Sequence, residues 1–330
     1  MNIALCFLGS THDDIDYGFL KSIKYYDVYV SLSNENEVAN KNNITYINIS
    51  SSIIKKEKYT NCTYVKNSNK GKINELEKAL YYFTFIKKYP YIWFITKDVL
   101  LFDVNQLIRM DELHKNIDYI THKIIESNKL KHVNWNMWPD VTRDGHYNFK
   151  APFYHSLNNI CRLSSAMLEE IKKYAIENKT LCYKDALFAS LVSKNENLTY
   201  YDENTIKFLK MVDDNILSNT TKIYCNVNNI EKQIYYREKY LNSLKDSDDE
   251  SDYESDYEGD NECDNNEKHV HINNYVEEKN IQTFDIDTNK EDTNKNKKSI
   301  YISCGLFLSF IFAFQWLCNF SKNKNYDENN

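Results

Sequence analysis

The chain opens on an apolar run, Ile3-Ala4-Leu5-Cys6-Phe7-Leu8, that stops at Gly9-Ser10. The run is short and no basic residue precedes it, so it reads as a first strand and poorly as a signal peptide. Further strand-like runs follow at Asp27–Leu32, Ile44–Ile49, Tyr91–Ile95 and Tyr119–Thr121. Between the second and third of these runs, across Asn74–Lys88, Leu76, Ala79, Leu80, Phe83 and Ile86 keep helical spacing. Pro90 predicts the end of that helix and the start of the next buried strand. Strands alternating with helices predict an α/β fold with parallel strands.

A second helical region begins near Ser164, a serine suited to the N-cap, with Met167, Leu168, Ile171 and Ala175 on one face. Asp185 is placed to cap a shorter helix over Ala186–Val192, and a polar helix over about 230–244 closes the domain. The first domain is therefore expected over residues 1–242.

The pattern then changes. Residues 243–298 are dominated by Asn, Lys, Asp and Glu and contain the near-repeat SDYESDYEG. Such a segment buries too little apolar surface to offset chain entropy, which predicts a disordered acidic and polar linker. Residues 299–320 predict one C-terminal transmembrane helix, and 321–330 a short tail. Ile300 to Phe320 carries no formal charge. At about 1.5 Å per residue it crosses a hydrocarbon core of roughly 30 Å. Tyr301 and Trp316 suit the two interfaces. Lys295, Lys297 and Lys298 before the span outnumber Lys322 and Lys324 after it. That excess favours a single-pass tail anchor with the N-terminal domain facing the cytoplasm.

Charge changes the picture only after the linker is set aside. The formal net charge is −7. Asp246–Asp264 alone holds eleven acidic side chains and no basic one, and the rest of the chain has 41 basic against 37 acidic residues. The folded part offers no broad basic field, which argues against a nucleic-acid partner. The eight cysteines form no CxxC pair, so a zinc module is not expected and free thiols are.

The stretch Tyr91-Ile92-Trp93-Phe94-Ile95-Thr96-Lys97-Asp98-Val99 resembles a motif of glycosyltransferase-like proteins known from plants, microbes and large DNA viruses. In that group a strand of the form Y-x-W-x-x-E-D-D-V ends in an acidic corner. Cys6–Ser10, Tyr26–Asn34, Lys78–Phe83, Ala151–Ile171, Leu181–Leu191 and Ile223–Arg237 resemble further segments of the group, in the same order. The resemblance covers about residues 1–240. It implies a GT-A-like (Rossmann-like) nucleotide-sugar-binding domain and transfer of a sugar from a nucleotide-sugar donor to a glycan or protein acceptor. A large DNA virus is one source it suggests, with a host or virion membrane for the anchor.

Such transfer needs charge stabilisation on the leaving diphosphate, commonly from Mn²⁺ or Mg²⁺, and a base for the acceptor proton in an inverting reaction. Asp98 is the candidate metal or ribose ligand; alternatively it is a polar strand end. The resemblance aligns Asp185 with an acceptor-side carboxylate, the candidate catalytic base, against the plainer helix-capping role. Arg162 reaches a donor phosphate or forms a salt bridge inside the domain. Trp135, Trp138 and Asp140 crowd one loop and are the acceptor-binding candidates, unless they only express an aromatic-rich composition. Two departures stand out. Thr96-Lys97-Asp98 replaces the acidic cluster, and Cys225-Asn226-Val227-Asn228 replaces His-Pro-Val-Lys, so a histidine ligand becomes cysteine. Lys97 either repels a cation or itself neutralises the diphosphate as a donor-binding residue. The rival readings are an inactive glycosyltransferase-like binding protein and a tail-anchored membrane adaptor.

Overall fold

The computed structural model describes residues 2–33, 43–63, 73–128, 135, 137–143, 146–209 and 214–248. The chain divides into units 1–256 and 257–330, and the second lies wholly outside the described residues. So do the expected linker beyond residue 248, the expected span and the tail. Among the described residues no helix is long and apolar enough to cross a membrane.

The first unit is a mixed α/β domain built on a seven-stranded sheet. Strand β1 (Ile3–Gly9) pairs in parallel with β2 (Asp27–Leu32) on one side and with β4 (Tyr91–Thr96) on the other. β3 (Ile44–Tyr46) extends the sheet beyond β2. Beyond β4 come β9 (Ile160–Ser164), β6 (Tyr119–Thr121) and β10 (Tyr200–Asp202). β9 runs antiparallel to both of its neighbours. The sheet is thus parallel-rich rather than parallel throughout.

Both faces are covered, and β1 shows why its sequence is continuously apolar. Ala4, Cys6 and Leu8 enter one core, while Ile3, Leu5 and Phe7 enter the other. The first core is covered by α3 (Glu75–Phe85), α6 (Ser165–Asn178) and α7 (Lys184–Lys194). The second lies under α1 (Tyr17–Ser22) and α4 (Asn105–Leu113).

Local chemistry sets the helix starts. Asn74 caps α3 by accepting from the N–H groups of Leu76 and Glu77, and Glu77 returns to Asn74 N in a capping box. Ser164 caps α6 by accepting from Met167 N at 3.1 Å. α7 differs from expectation: its cap is Tyr183, and Asp185 lies inside the first turn.

A smaller sheet of β11 (Ile206–Phe208), β12 (Ile223–Cys225) and β5 (Val99–Leu100) packs beside the main one. It is followed by α8 (Ile230–Asp248).

Candidate functional site

Strand order reverses between β1 and β4: the chain goes outward through β2 and β3, then returns to the far side of β1. In open α/β sheets the crevice beyond the carboxyl ends of such strands is where ligands bind, because the flanking connections leave in opposite directions. β1 ends at Gly9 and β4 at Thr96, so Thr96, Lys97 and Asp98 stand at this switch point.

Lys97 and Asp98 diverge toward the two neighbours of β4. Lys97 Nζ turns to the β1 side and pairs with Asp14 Oδ1 at 2.9 Å. Asp14 also accepts from Ser10 N at 2.7 Å and Thr11 N at 3.0 Å. Desolvation alone would raise the Asp14 carboxyl, but Lys97 and these N–H groups outweigh it and hold it below the usual range. A β-carbon on Gly9 would come within 3.0 Å of Ile15 and 3.3 Å of Asp14, so the loop folds this closely only over a glycine.

Asp98 turns to the β9 side. Its Oδ2 accepts from Asn159 Nδ2 at 2.5 Å, and its Oδ1 faces the Thr96 hydroxyl. The Thr96 hydroxyl also lies 2.9 Å from the Asn159 carbonyl, and its single proton serves one of the two acceptors. The carboxylate is half-buried.

Asp185 meets the same turn. Its Oδ1 accepts from Asn158 N at 3.0 Å, and Lys184 Nζ donates to the Asn158 carbonyl at 2.5 Å. Burial pushes the Asp185 carboxyl up, against the pull of Lys184 and of hydrogen bonds from Asn158 and Tyr183. The Asn158 side chain is anchored in turn by Tyr119 and Thr121.

The closing segment packs against this corner, as its resemblance implies. Val227 N donates to the Asp98 carbonyl at 2.9 Å, and Gln233 Nε2 to the Lys97 carbonyl at 2.7 Å. Cys225 pairs with Val99, next to Asp98 in the chain. Its thiol is buried and held protonated, first by desolvation and then by the Asp98 charge.

A divalent cation needs several hard oxygen ligands or deprotonated donors. The residues present do not fit that demand. Asp98 brings one carboxylate, Cys225 brings a protonated thiol, and Asp14 is engaged by Lys97. Among the described residues no group of three His, Cys, Asp or Glu side chains converges on one point.

The remaining predicted residues lie elsewhere. Arg162 takes the salt-bridge alternative. It is fully buried, pairs with Asp111 at 2.6 Å, donates to the carbonyls of His114 and Ile117, and lies 4.4 Å over the Tyr91 ring. Tyr91 begins β4, so this guanidinium sits at the amino end of the strand, away from Asp98. Trp138 is wholly buried, which leaves its indole no open face for a sugar. Trp135 is 8 % exposed and stacks on His155 and Tyr183 at 4.8 and 5.6 Å. Asp140 is half-buried on α5 (Trp138–Arg143). These aromatics back the first turn of α7 through Tyr183 and Ala186. Sequence reasoning missed Asn158, Asn159, Thr96 and Asp14. An Asn-Asn pair just before a short apolar run was the available signal, masked by the abundance of asparagine.

No protein-family model matches the chain, and no curated protein matches it. Among solved structures, mouse xyloside xylosyltransferase 1 in its apo form is similar over 68 % of this chain and 96 % of that one, at 9 % identity and a TM-score of 0.36. The galactosyltransferase LgtC with donor and acceptor sugar analogues is similar over 72 % of this chain and 96 % of that one, at 10 % identity and a TM-score of 0.41. At these scores no activity follows from the likeness.

Proposed function

We propose that residues 1–242 form a GT-A-like glycosyltransferase domain that binds a nucleotide sugar at the carboxyl ends of β1 and β4. The observation that carries the reading is the convergence of Asp98 and Asp185 on the single Asn158–Asn159 turn at the switch point of the sheet. The motif resemblance independently assigns the same two carboxylates to donor and acceptor.

In this reading Asp98 accepts a hydrogen bond from a ribose or sugar hydroxyl of the donor. Lys97 has ammonium protons beyond the one given to Asp14 and meets the diphosphate charge. Asp185 takes the acceptor hydroxyl proton as the oxygen attacks the anomeric carbon. The anomeric carbon–oxygen bond breaks, and its electron pair leaves on the diphosphate. Because the donor set does not fit a divalent cation, no step passes through one.

The full-length protein incubated with a panel of nucleotide sugars and glycan or protein acceptors tests this. Expected is release of the nucleoside diphosphate at a rate unchanged by Mn²⁺ or by a chelator. Release that requires Mn²⁺ would restore Asp98 to the role of metal ligand. Binding without any release would favour the second reading, a glycosyltransferase-like binding protein without turnover. The protonated Cys225 in place of a histidine favours that reading. Failure to bind any donor overturns both.

We also propose, from the sequence of residues 299–320, a tail anchor with the N-terminal domain on the cytoplasmic side. Carbonate extraction that frees the protein from membranes would count against it.

A further inference from the structure

We propose that a polar groove along α4 is a second binding site, for a neutral oligosaccharide, separate from the corner around Asp98. The groove encloses about 500 Å³ between α4, the β10–β11 connection and Thr220–Thr221. None of its lining residues belongs to the Asp98–Asp185 corner, and the proposal stands whether or not the transferase reading does.

Two buried polar atoms of its lining residues have no hydrogen-bond partner among the described residues: Gln106 Oε1 and Thr205 Oγ1. Gln106 is held by the other end of its amide, which donates to the carbonyls of Thr220 and Lys222. Its oxygen can only accept, and an unmatched buried acceptor costs about 1–3 kcal/mol. Glu203, itself 7 % exposed, lines the same wall and accepts from Thr205 N at 2.8 Å. Unused capacity on this wall is therefore mostly acceptor capacity. A complementary ligand brings many donors, as a polyhydroxyl compound does.

Charge and shape narrow the class. Glu203 and Asp103 face Arg109 in the groove, a balance that disfavours a phosphate or a polyanion. Tyr201, 37 % exposed, stacks on His114 with ring centroids 3.8 Å apart and an interplanar angle of 27°. A rigid aromatic pair with an accessible ring offers the flat apolar surface on which the C–H face of a pyranose rests, while its hydroxyls reach the acceptors beside it. A volume in this range holds a ligand of a few rings.

The test is saturation-transfer NMR and calorimetry on the full-length protein with neutral hexose oligosaccharides of several linkages. Expected is binding weakened about three- to tenfold by Gln106→Met or Thr205→Val, each of which removes one hydrogen bond. Tyr201→Ala and the exposed Arg109→Ala extend the test to positions where folding is not at stake. Asp98→Asn should leave this binding in place. No binding to any oligosaccharide, binding indifferent to all four groove variants, or tighter binding of free nucleotides that the same variants abolish would each overturn the proposal.

Discussion

Asn159 donates its side-chain amide to Asp98 at 2.5 Å, while its neighbour Asn158 gives its backbone N–H to Asp185 at 3.0 Å. Two carboxylates far apart in sequence, one ending β4 and one opening α7, are thereby held by consecutive residues of one turn. The turn is itself pinned through Asn158 to Tyr119 and Thr121 on β6. Neither carboxylate can shift without disturbing the support of the other.

Asp98→Asn keeps the shape of the side chain and removes its charge. A charge-assisted acceptor is about twice as strong as a neutral one, so donor affinity should fall about tenfold, with little change in thermal midpoint. Asn159→Ala should have a smaller effect in the same direction, since Thr96 still holds one oxygen. Calorimetric titration of the full-length protein with the best-binding nucleotide sugar decides this. Affinity equal to wild type in Asp98→Asn would remove Asp98 from the donor corner.

Asp185→Asn separates catalysis from support. The amide oxygen still accepts from Asn158 N, so the fold should be retained, while the acceptor proton loses its destination. Removal of a positioned base costs about 10²- to 10⁴-fold in rate. Because burial raises the Asp185 carboxyl, a base in this position is inactive while protonated and gains activity as pH rises through that raised value. The wild-type rate should therefore climb with pH above the ordinary carboxylate range, and the residual rate of Asp185→Asn should be flat across the same window. A wild-type profile without that limb would assign Asp185 a structural role.

The parts of the fold legible in the sequence are those where one interaction dominates. β1, β2 and β4 are buried on both faces and spell continuous apolar runs, while α3 and α6 combine helical spacing with Asn74 and Ser164 as caps. β9 was not legible as a strand. Its five residues are all buried, yet Arg162 sits at their centre, and only the distant Asp111 makes an arginine tolerable there. With β9 went the antiparallel pairing that brings Asn159 beside β4. Asp98 and Asp185 could be marked from motif position, but their mutual support depends on a turn whose asparagines look like background in this chain. The capping role anticipated for Asp185 failed for a related reason: the side chain bonds to another segment rather than to its own helix.

Arg162 illustrates the difference between a buried cation that binds and one that builds. Its guanidinium pairs with Asp111, which also accepts from Tyr26 OH at 2.7 Å and Trp93 Nε1 at 3.1 Å. Arg162→Ala strands that carboxylate in the second core. Breaking a buried pair in this way costs about 3–5 kcal/mol. Lysine cannot reproduce the fork that serves Asp111 and two carbonyls together, so Arg162→Lys should rescue little. Chemical denaturation of the full-length protein should show the loss, and donor affinity measured at low temperature on folded protein should be unchanged. Normal stability with lost donor binding would return Arg162 to the site.

Glu77 supplies a pH dependence independent of any activity. The side chain is 1 % exposed and accepts from Cys62 N at 2.8 Å and Asn74 N at 3.1 Å. Desolvation outweighs these N–H groups and lifts its carboxyl from 4.5 to about 7. Between those values the folded protein keeps a proton that the unfolded chain has released. Stability therefore falls as pH rises through that window and levels off above it, by about 3 kcal/mol at most. Glu77→Gln removes the titration but has one acceptor oxygen for two N–H donors. It should be less stable than wild type near pH 4.5 and lose less stability on the way to pH 8. Denaturation midpoints of the two proteins across that range give a difference curve in which other titrating groups cancel. A slope between about 4.5 and 7 confirms the displaced carboxyl, and parallel curves would mean that Glu77 ionises as an ordinary surface glutamate does.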